Sequence, residues 1–348
     1  MAGHGTLTRH ATKHAPENRF ISYRYLMNDA RDNYCLLPGT PLDSYVIDRA
    51  IGGGGFSIVY LAHVENSDTQ VAIKEYMPRK LAYRGEDGVS VHTTPDSESG
   101  DNFAHGRRMF FQEASTLATV KHPNIVNVIN FFRANGTVYM VMAYEKGINL
   151  QDYIRRHGGN LSEKFIRTVF PPLLDGLKVI HGMGLLHLDI KPGNIFLRPG
   201  GNPILLDFGA VHQMQNSRKY QPTQVVTPGF APYEQLTPGG YVGPWSDLYA
   251  IGASMRACID GTTPPPADER RMKDVLKPAT LVFKRHYSLA LLGAIDWAME
   301  VDAELRPQSV EQLLEAMNRE EPPEEPTSRG DSFLDLLTRD ITLPWSKG

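Results

Sequence analysis

Within one stretch, His187-Leu188-Asp189-Ile190-Lys191-Pro192-Gly193-Asn194, an acid, a lysine and an amide fall within six residues. A second acid, Asp207 of Asp207-Phe208-Gly209, follows thirteen residues after the amide. Pro192 and Gly193 disfavour a continuous helix, so a loop is expected for the first three groups. Residues 195–197 and 203–206 read as two short strands around the turn Pro199-Gly200-Gly201-Asn202. Such a hairpin carries Asn194 and Asp207 back to one place. An amide and a carboxylate facing each other from two strand ends make a hard-oxygen site suited to Mg²⁺ beside phosphate. Asp189 is then left to take a proton from an alcohol.

The rest of the chain supplies elements that can hold these groups. Residues 45–51 and 58–62 read as strands around Gly52-Gly53-Gly54-Gly55-Phe56-Ser57. Glycines let the backbone turn tightly and bring its N–H groups against phosphate oxygens. A dinucleotide-binding turn opens a helix; this one opens a β-branched, aromatic strand. A third strand carries Val71-Ala72-Ile73-Lys74. A lysine on a buried strand costs desolvation unless it is paired. Residues 103–120 have helical periodicity, and Glu113, which shares a face with Leu117, is the acid expected to pair with Lys74. Residues 77–102, with Gly85, Gly88, Pro95 and Gly100, read as a long polar insert, a kind of loop that is often functional or mobile. Lys121-His122-Pro123-Asn124 ends the helix. Strands are expected over 125–133 and 137–143, joined by Asn135-Gly136. A helix starts at Asn149. A longer one opens at Ser162, with Phe165, Ile166, Val169, Leu173, Leu174, Leu177 and Ile180 inward and an interruption at Pro171-Pro172.

These stretches together resemble the protein kinases. His187 to Asn194 is similar to H-R-D-x-x-x-x-N, with Leu188 in place of the arginine, and Asp207-Phe208-Gly209 to D-F-G. The glycine run resembles G-x-G-x-x-G-x-V, with Ser57 at the third glycine and Val59 at the valine. Val71 to Lys74 resembles V-A-I-K. The run Thr227-Pro228-Gly229-Phe230-Ala231-Pro232-Tyr233-Glu234-Gln235 resembles the substrate-positioning and A-P-E region, with Thr227 seven residues before Glu234. Residues 245–252 resemble the helix whose acid, here Asp247, braces the catalytic loop. Leu305-Arg306-Pro307 resembles the late arginine that pairs with the A-P-E glutamate. Lys191 marks the serine/threonine form, and Lys-Pro-Gly-Asn-Ile and Thr-Pro-Gly-Phe-Ala-Pro look like the bacterial branch.

The resemblance implies an α+β, bilobal protein-kinase fold: a small antiparallel-sheet N-lobe with one helix and a larger, mainly helical C-lobe. It places an N-terminal extension at 1–37 and the kinase domain at 38–318, with N-lobe 38–142, hinge 143–147 and C-lobe 148–318. An acidic linker and tail occupy 319–348. It implies ATP and Mg²⁺, with Mn²⁺ as an alternative, and protein substrates with Ser/Thr acceptors. Asp189 would be the base, Lys191 would offset charge at the transferring phosphate, and Lys74, held by Glu113, would hold the α/β-phosphates. Asn194 and Asp207 would hold the metal. Nucleotide would meet Ile51, Gly52, Gly53, Gly54, Gly55, Phe56, Ser57, Val59, Ala72, Lys74, Met142, Tyr144, Glu145 and Phe196. In the family, the H-R-D arginine waits for a phosphate on the activation loop. Leu188 has no charge to neutralise, so a phosphate on Ser217, Thr223 or Thr227 loses its usual partner. Arg218 and Lys219 lie on the same segment. Independence from that phosphorylation is therefore expected. Two alternatives stand beside this one. A pseudokinase scaffold would bind nucleotide and partners without turnover, and a small-molecule kinase would lack the A-P-E-like stretch, Asp247 and Arg306.

Composition sets outer bounds. The 348 residues, 41% hydrophobic and 22% charged with a net charge of −3, suit a globular chain and do not favour nucleic acid as the main partner. Cys35 and Cys258 lie far apart without metal-ligand spacing, which suits a reducing compartment. No apolar run approaches the roughly 18 to 20 residues of a membrane span, and a cytoplasmic setting is expected. His4, His10 and His14 sit in a polar tail and read as solvated side chains. Residues 20–37 are apolar enough to pack on the domain. The 319–348 tail holds four basic and seven acidic residues, then an apolar cluster from Phe333 to Trp345. That cluster either docks on its own domain or serves as a partner-binding or self-inhibiting segment.

Overall fold

The computed structural model describes residues 34–95, 97–207, 212–213 and 226–319. Expectations for residues 1–33 and 320–348, and for Phe208, Gly209, Ser217, Arg218, Lys219 and Thr223, lie outside these. The described chain divides into two compact units. One comprises the residues up to Thr119 with Asn127–Tyr144; the other comprises Val120–Val126 and the residues from Glu145 onward. Residues 120–126, expected in the small lobe, thus belong with the second unit.

The first unit is built on six antiparallel strands: Pro41–Leu42 (β1), Tyr45–Gly53 (β2), Ser57–Val64 (β3), Gln70–Tyr76 (β4), then, after the insert and a helix, Val128–Ala134 (β7) and Thr137–Ala143 (β8). Their order across the sheet is β1-β2-β3-β4-β8-β7. The register pairs Val59 with Lys74 and Ala72 with Met142, so these four side chains share one face. Glu75 pairs with Tyr139 and Ile58, on the opposite face.

The insert is not a bare loop. It contains a hairpin of Ala82–Arg84 (β5) and Val91–Thr93 (β6), turned at Gly85 and Gly88, with Asp87 accepting from the Val89 and Ser90 amides. Three-residue strands are too short to show alternation, which is why the pattern was not legible. Ser97–Leu117 (α1) begins six residues before the expected start and ends three before the expected end. Its first turn is polar, and Phe103 is its first buried residue with an apolar side chain. Strand β7 begins at Val128 rather than 125, because Ile125 and Val126 bond to Leu205 of the second unit instead.

Residues 34–36, by contrast, do pack on the sheet as expected. Leu36 is buried and its amide donates to the Tyr60 hydroxyl.

The second unit is mainly helical. Ile148–Asn149 (β9) leads into Leu150–His157 (α2), which is capped by the Asn149 side chain. Glu163–Gly182 (α3) is capped by Ser162 and continues through Pro171 and Pro172, contrary to the expected interruption. Phe170, Leu173 and Leu174 around the prolines are fully buried, and that packing offsets two missing amide hydrogen bonds. Leu185–Leu186 (β10), Ile195–Leu197 (β11), Pro203–Leu205 (β12) and His212–Gln213 (β13) form two small ladders, β9-β11-β12 and β10-β13. The helices Tyr233–Leu236 (α4), Pro244–Asp260 (α5), Ala267–Met272 (α6), Ala279–Val282 (α7), Leu289–Ala298 (α8) and Val310–Met317 (α9) follow. Helix α5 is buried from Ser246 to Ile259 and forms the core of this unit.

Helix α1 reaches β4 through Tyr76, whose ring lies 5.3 Å from that of Phe103 and 5.8 Å from that of Phe110. A Cβ added at Gly106 would overlap the Tyr76 hydroxyl, whereas one at Gly100 would meet nothing within 4 Å. Replacing glycine by alanine inside a helix gains about 1 kcal/mol, but overpacking a wedged ring costs about 1–3 kcal/mol. Gly100→Ala should therefore raise the unfolding free energy and Gly106→Ala lower it. Chemical denaturation of both variants checks this; stabilisation by Gly106→Ala contradicts the wedge.

Candidate active site

The acid-lysine-amide loop lies directly after β10. Leu188 has φ 59 and Asp207 has φ 56. That left-handed region is unfavourable for a leucine and easier for an aspartate. Leu188 is held there from both sides. Its amide donates to Asp247 Oδ1 at 2.8 Å, and its carbonyl accepts from the buried Gln235 Nε2. Its side chain packs in a buried cluster with Leu186 and Val242.

Asp247 is fully buried near the start of α5. Its Oδ2 accepts from the His187 amide at 3.0 Å and from His181 Nε2 at 2.9 Å. Burial by itself pushes its pKa up, but the His181 contact and the amide bonds outweigh this and hold it below the usual carboxylate range. Burial pushes the His187 pKa down, so its imidazole is neutral. Its Nδ1 accepts the Asp189 amide at 3.2 Å, which puts the ring proton on Nε2, toward the Leu206 carbonyl at 3.3 Å.

Asp189 emerges from this frame about one quarter exposed. Lys191 Nζ meets both of its oxygens, at 2.8 and 2.9 Å, and also donates to Thr227 Oγ1 at 3.0 Å. Asn194 Nδ2 donates to the Asp189 carbonyl at 2.8 Å and to its Oδ2 at 2.9 Å. The Leu206 amide donates to the Asn194 carbonyl at 2.8 Å and closes the β11–β12 hairpin one residue before Asp207.

With the Asn194 amide nitrogen committed to Asp189, its oxygen is the atom left to meet a cation. Among the described residues no group of three His, Cys, Asp or Glu could hold a metal. One amide oxygen and one carboxylate suit Mg²⁺ whose remaining ligands are phosphate and water.

The expected pair of Glu234 and Arg306 is present at 2.8 and 3.1 Å. Arg306 is buried and also bonds to the carbonyls of Glu300 and Val301. Gln235 and His181 carry no signal of these roles in the sequence. Their partners lie 47 and 66 residues away, and no local pattern marks them.

In the first unit, the Gly54 amide closes the glycine-rich turn on the Ser57 carbonyl at 2.9 Å. Neither Gly54 nor Gly55 has a positive φ, and an added Cβ at either meets nothing within 4 Å. Conformation and crowding thus do not account for these glycines. Ile51, Val59, Ala72, Met142 and Tyr144 are half-buried and offer apolar surface. Lys74 and Glu113 are both buried, and the Lys74 ammonium lies 5.6 Å from the centre of the Phe110 ring. In the second unit Phe196 is half-buried, and Glu145 pairs with Arg198 at 3.5 Å.

A protein kinase domain model matches residues 45–330. The chain belongs to the protein kinase family. It is similar to serine/threonine-protein kinase STE20 of Candida glabrata, 31% identical over 79% of this chain and 28% of the relative. It is also similar to CBL-interacting protein kinase 21 of Oryza sativa subsp. japonica, 30% identical over 65% of this chain and 40% of the relative. The kinase chain spans less than half the length of these curated relatives. The solved structure of PpkA-294 in its apo form is 36% identical, with a TM-score of 0.73 over 81% of this chain and 99% of that one. Among the described residues, no helix of this kinase domain is long and apolar enough to cross a membrane.

Replacing Gln235 by leucine would leave the Leu188 carbonyl buried without its donor. That should cost about 1–3 kcal/mol of unfolding free energy and speed amide hydrogen exchange at Leu188 and Asp189. Wild-type exchange at those two amides in a folded Gln235→Leu chain would show that Gln235 does not hold the loop.

Proposed function

We propose that this kinase domain is an active serine/threonine protein kinase, transferring the ATP γ-phosphoryl group to protein Ser/Thr hydroxyls. The observation that carries this is the Asp189 carboxylate, fixed by Lys191 and Asn194 on a loop pinned by Asp247. Lys191 is also linked to Thr227, seven residues before the Glu234–Arg306 pair. That link ties the catalytic acid to the A-P-E-like segment, which resembles the one that positions protein substrates.

In this mechanism Asp189 orients the acceptor hydroxyl and takes its proton as the oxygen attacks. Lys191 stays beside it and offsets the negative charge that develops. Mg²⁺, or Mn²⁺, held by Asn194 and Asp207 would neutralise phosphate charge. Lys74 would hold the α/β-phosphates, and Glu113, which is also buried, would hold Lys74 in place. The amides of the glycine-rich turn would cover the phosphates, and Ile51, Val59, Ala72, Met142 and Phe196 would meet the base. Positioning and charge stabilisation account for most of the rate.

Asp189→Asn keeps the shape but removes the base. Transfer to a generic protein substrate should fall by about 10²–10⁴-fold, with ATP still bound. Turnover close to wild type in the folded variant contradicts the assignment. ATP binding by the wild-type chain with transfer to neither proteins nor small alcohols would instead favour a scaffold.

The kinase is also proposed to work without a phosphate on its activation loop. In the position of the arginine that awaits such a phosphate stands Leu188, buried against Leu186 and Val242. The loop that carries Leu188 is held by this apolar packing and by Asp247 and Gln235, none of which depends on modification. Phosphatase-treated and untreated enzyme should show initial rates within a few-fold of each other, as should Ser217→Ala and Thr223→Ala. A loss on the order of a hundredfold on dephosphorylation, restored by autophosphorylation, would mean another cation has taken the arginine's role.

A further inference from the structure

The face of the sheet opposite Lys74 carries a buried ionic cluster that the kinase mechanism does not use. Glu75, the residue after Lys74, is fully buried. Arg84 of the β5–β6 hairpin grips both of its oxygens, at 2.8 and 2.6 Å. The Tyr60 and Tyr139 hydroxyls each donate to the same carboxylate at 2.7 Å. Burial, followed by the Glu75 charge, pushes both phenols far up, so they remain donors. Arg84 has further N–H groups, and it spends them on the Tyr34 carbonyl, at 3.1 and 2.6 Å, and on the Val89 carbonyl at 2.9 Å. The segment before the kinase domain is thereby fastened to the strand that carries Lys74.

The same segment reaches the glycine-rich turn by a second route. The Tyr34 ring lies 5.5 Å from the guanidinium of Arg79. The Arg79 amide donates to the Gly55 carbonyl at 3.0 Å, and the Met77 amide to the Phe56 carbonyl at 2.9 Å. The contacts close a ring: turn, residues 77–79, Tyr34, Arg84, Glu75, and back along β4. Four consecutive glycines have more backbone freedom than any other tetrapeptide, and a turn that must be ordered around phosphate loses it on binding. A turn fastened beforehand loses less.

We propose that residues 34–36 and the β5–β6 hairpin tether the glycine-rich turn, with Arg79 and Arg84 as positioning residues, and that ATP affinity depends on this tether. The dependence on ATP rests on the kinase reading; the tether itself does not.

Three variants of the full chain test it: Tyr34→Leu, Arg79→Met, and the double change Glu75→Gln with Arg84→Met. The double change leaves no buried charge unpaired and keeps an acceptor for a tyrosine hydroxyl, so it separates tethering from folding. Amide hydrogen exchange at Gly54 to Ser57 is measured first, then ATP binding by calorimetry, then kcat and the KM for a peptide substrate. The tether predicts faster exchange in the turn and ATP affinity weaker by about threefold to tenfold, with kcat and peptide KM within twofold of wild type. Combining Tyr34→Leu with Arg79→Met should add little, since both cut one link. Unchanged exchange in the turn of the folded variants overturns the proposal, as does an equal loss in kcat and ATP affinity. A wild-type chain that binds no ATP, with variants that still free the turn, would refute the kinase reading and leave the tether standing.

Discussion

A carboxylate with no exposed surface, Asp247, holds the site in the second unit. It accepts two consecutive backbone amides and one imidazole. Left alone, a leucine in the left-handed region costs roughly 1–2 kcal/mol, and a buried charge costs more. Each offsets the other here. The charge is stabilised because His187 and Leu188 turn their amides toward it, and Leu188 keeps its unfavourable φ because that turn is what brings the amides there. Asp189 comes next in the chain, and its contacts with Lys191 and Asn194 follow from the direction in which Leu188 points it. Helix α5, buried along most of its length, makes the position of Asp247 hard to shift.

Much of this fold was legible, and the failures share a cause. Strand β8 matches its expected limits, and Asn149 and Ser162 cap helices where expected. Those signals are local: alternation, an Asn-Gly turn, a polar residue before a periodic run. The β5–β6 hairpin was hidden because its strands are three residues long and its buried charge, Arg84, looks like a surface residue until Glu75 is seen beside it. The sequence drew attention to Lys74 as a buried charge, yet the residue beside it is the more deeply buried. Gln235 and His181 act through partners far along the chain. The Glu234–Arg306 pair lies farther apart still, 72 residues, yet is legible because the resemblance supplies a partner that spacing cannot.

Leu188 is the clearest departure from the family pattern, and its surroundings give it a physical account. An arginine there would set a charge beside Asp189 and need a counter-charge to order the loop. A leucine needs only an apolar contact, which Leu186 and Val242 provide. In both units a backbone proposed to meet phosphate or substrate is held from behind by buried polar groups: Asp247 and Gln235 in one, Arg84 and Glu75 in the other.

The charge and the two acceptor oxygens of Asp247 thus set the backbone at Leu188. The direct measurement is a crystal structure of the Asp247→Asn chain. Asparagine replaces one acceptor oxygen by an NH₂ group with two donors, so it cannot accept on both sides, and its NH₂ group would face an N–H. In that structure Leu188 should leave the left-handed region and Asp189 should lose its contacts with Lys191 and Asn194. A structure in which Leu188 keeps a φ near 59° and Asp189 keeps those contacts would contradict this role of Asp247.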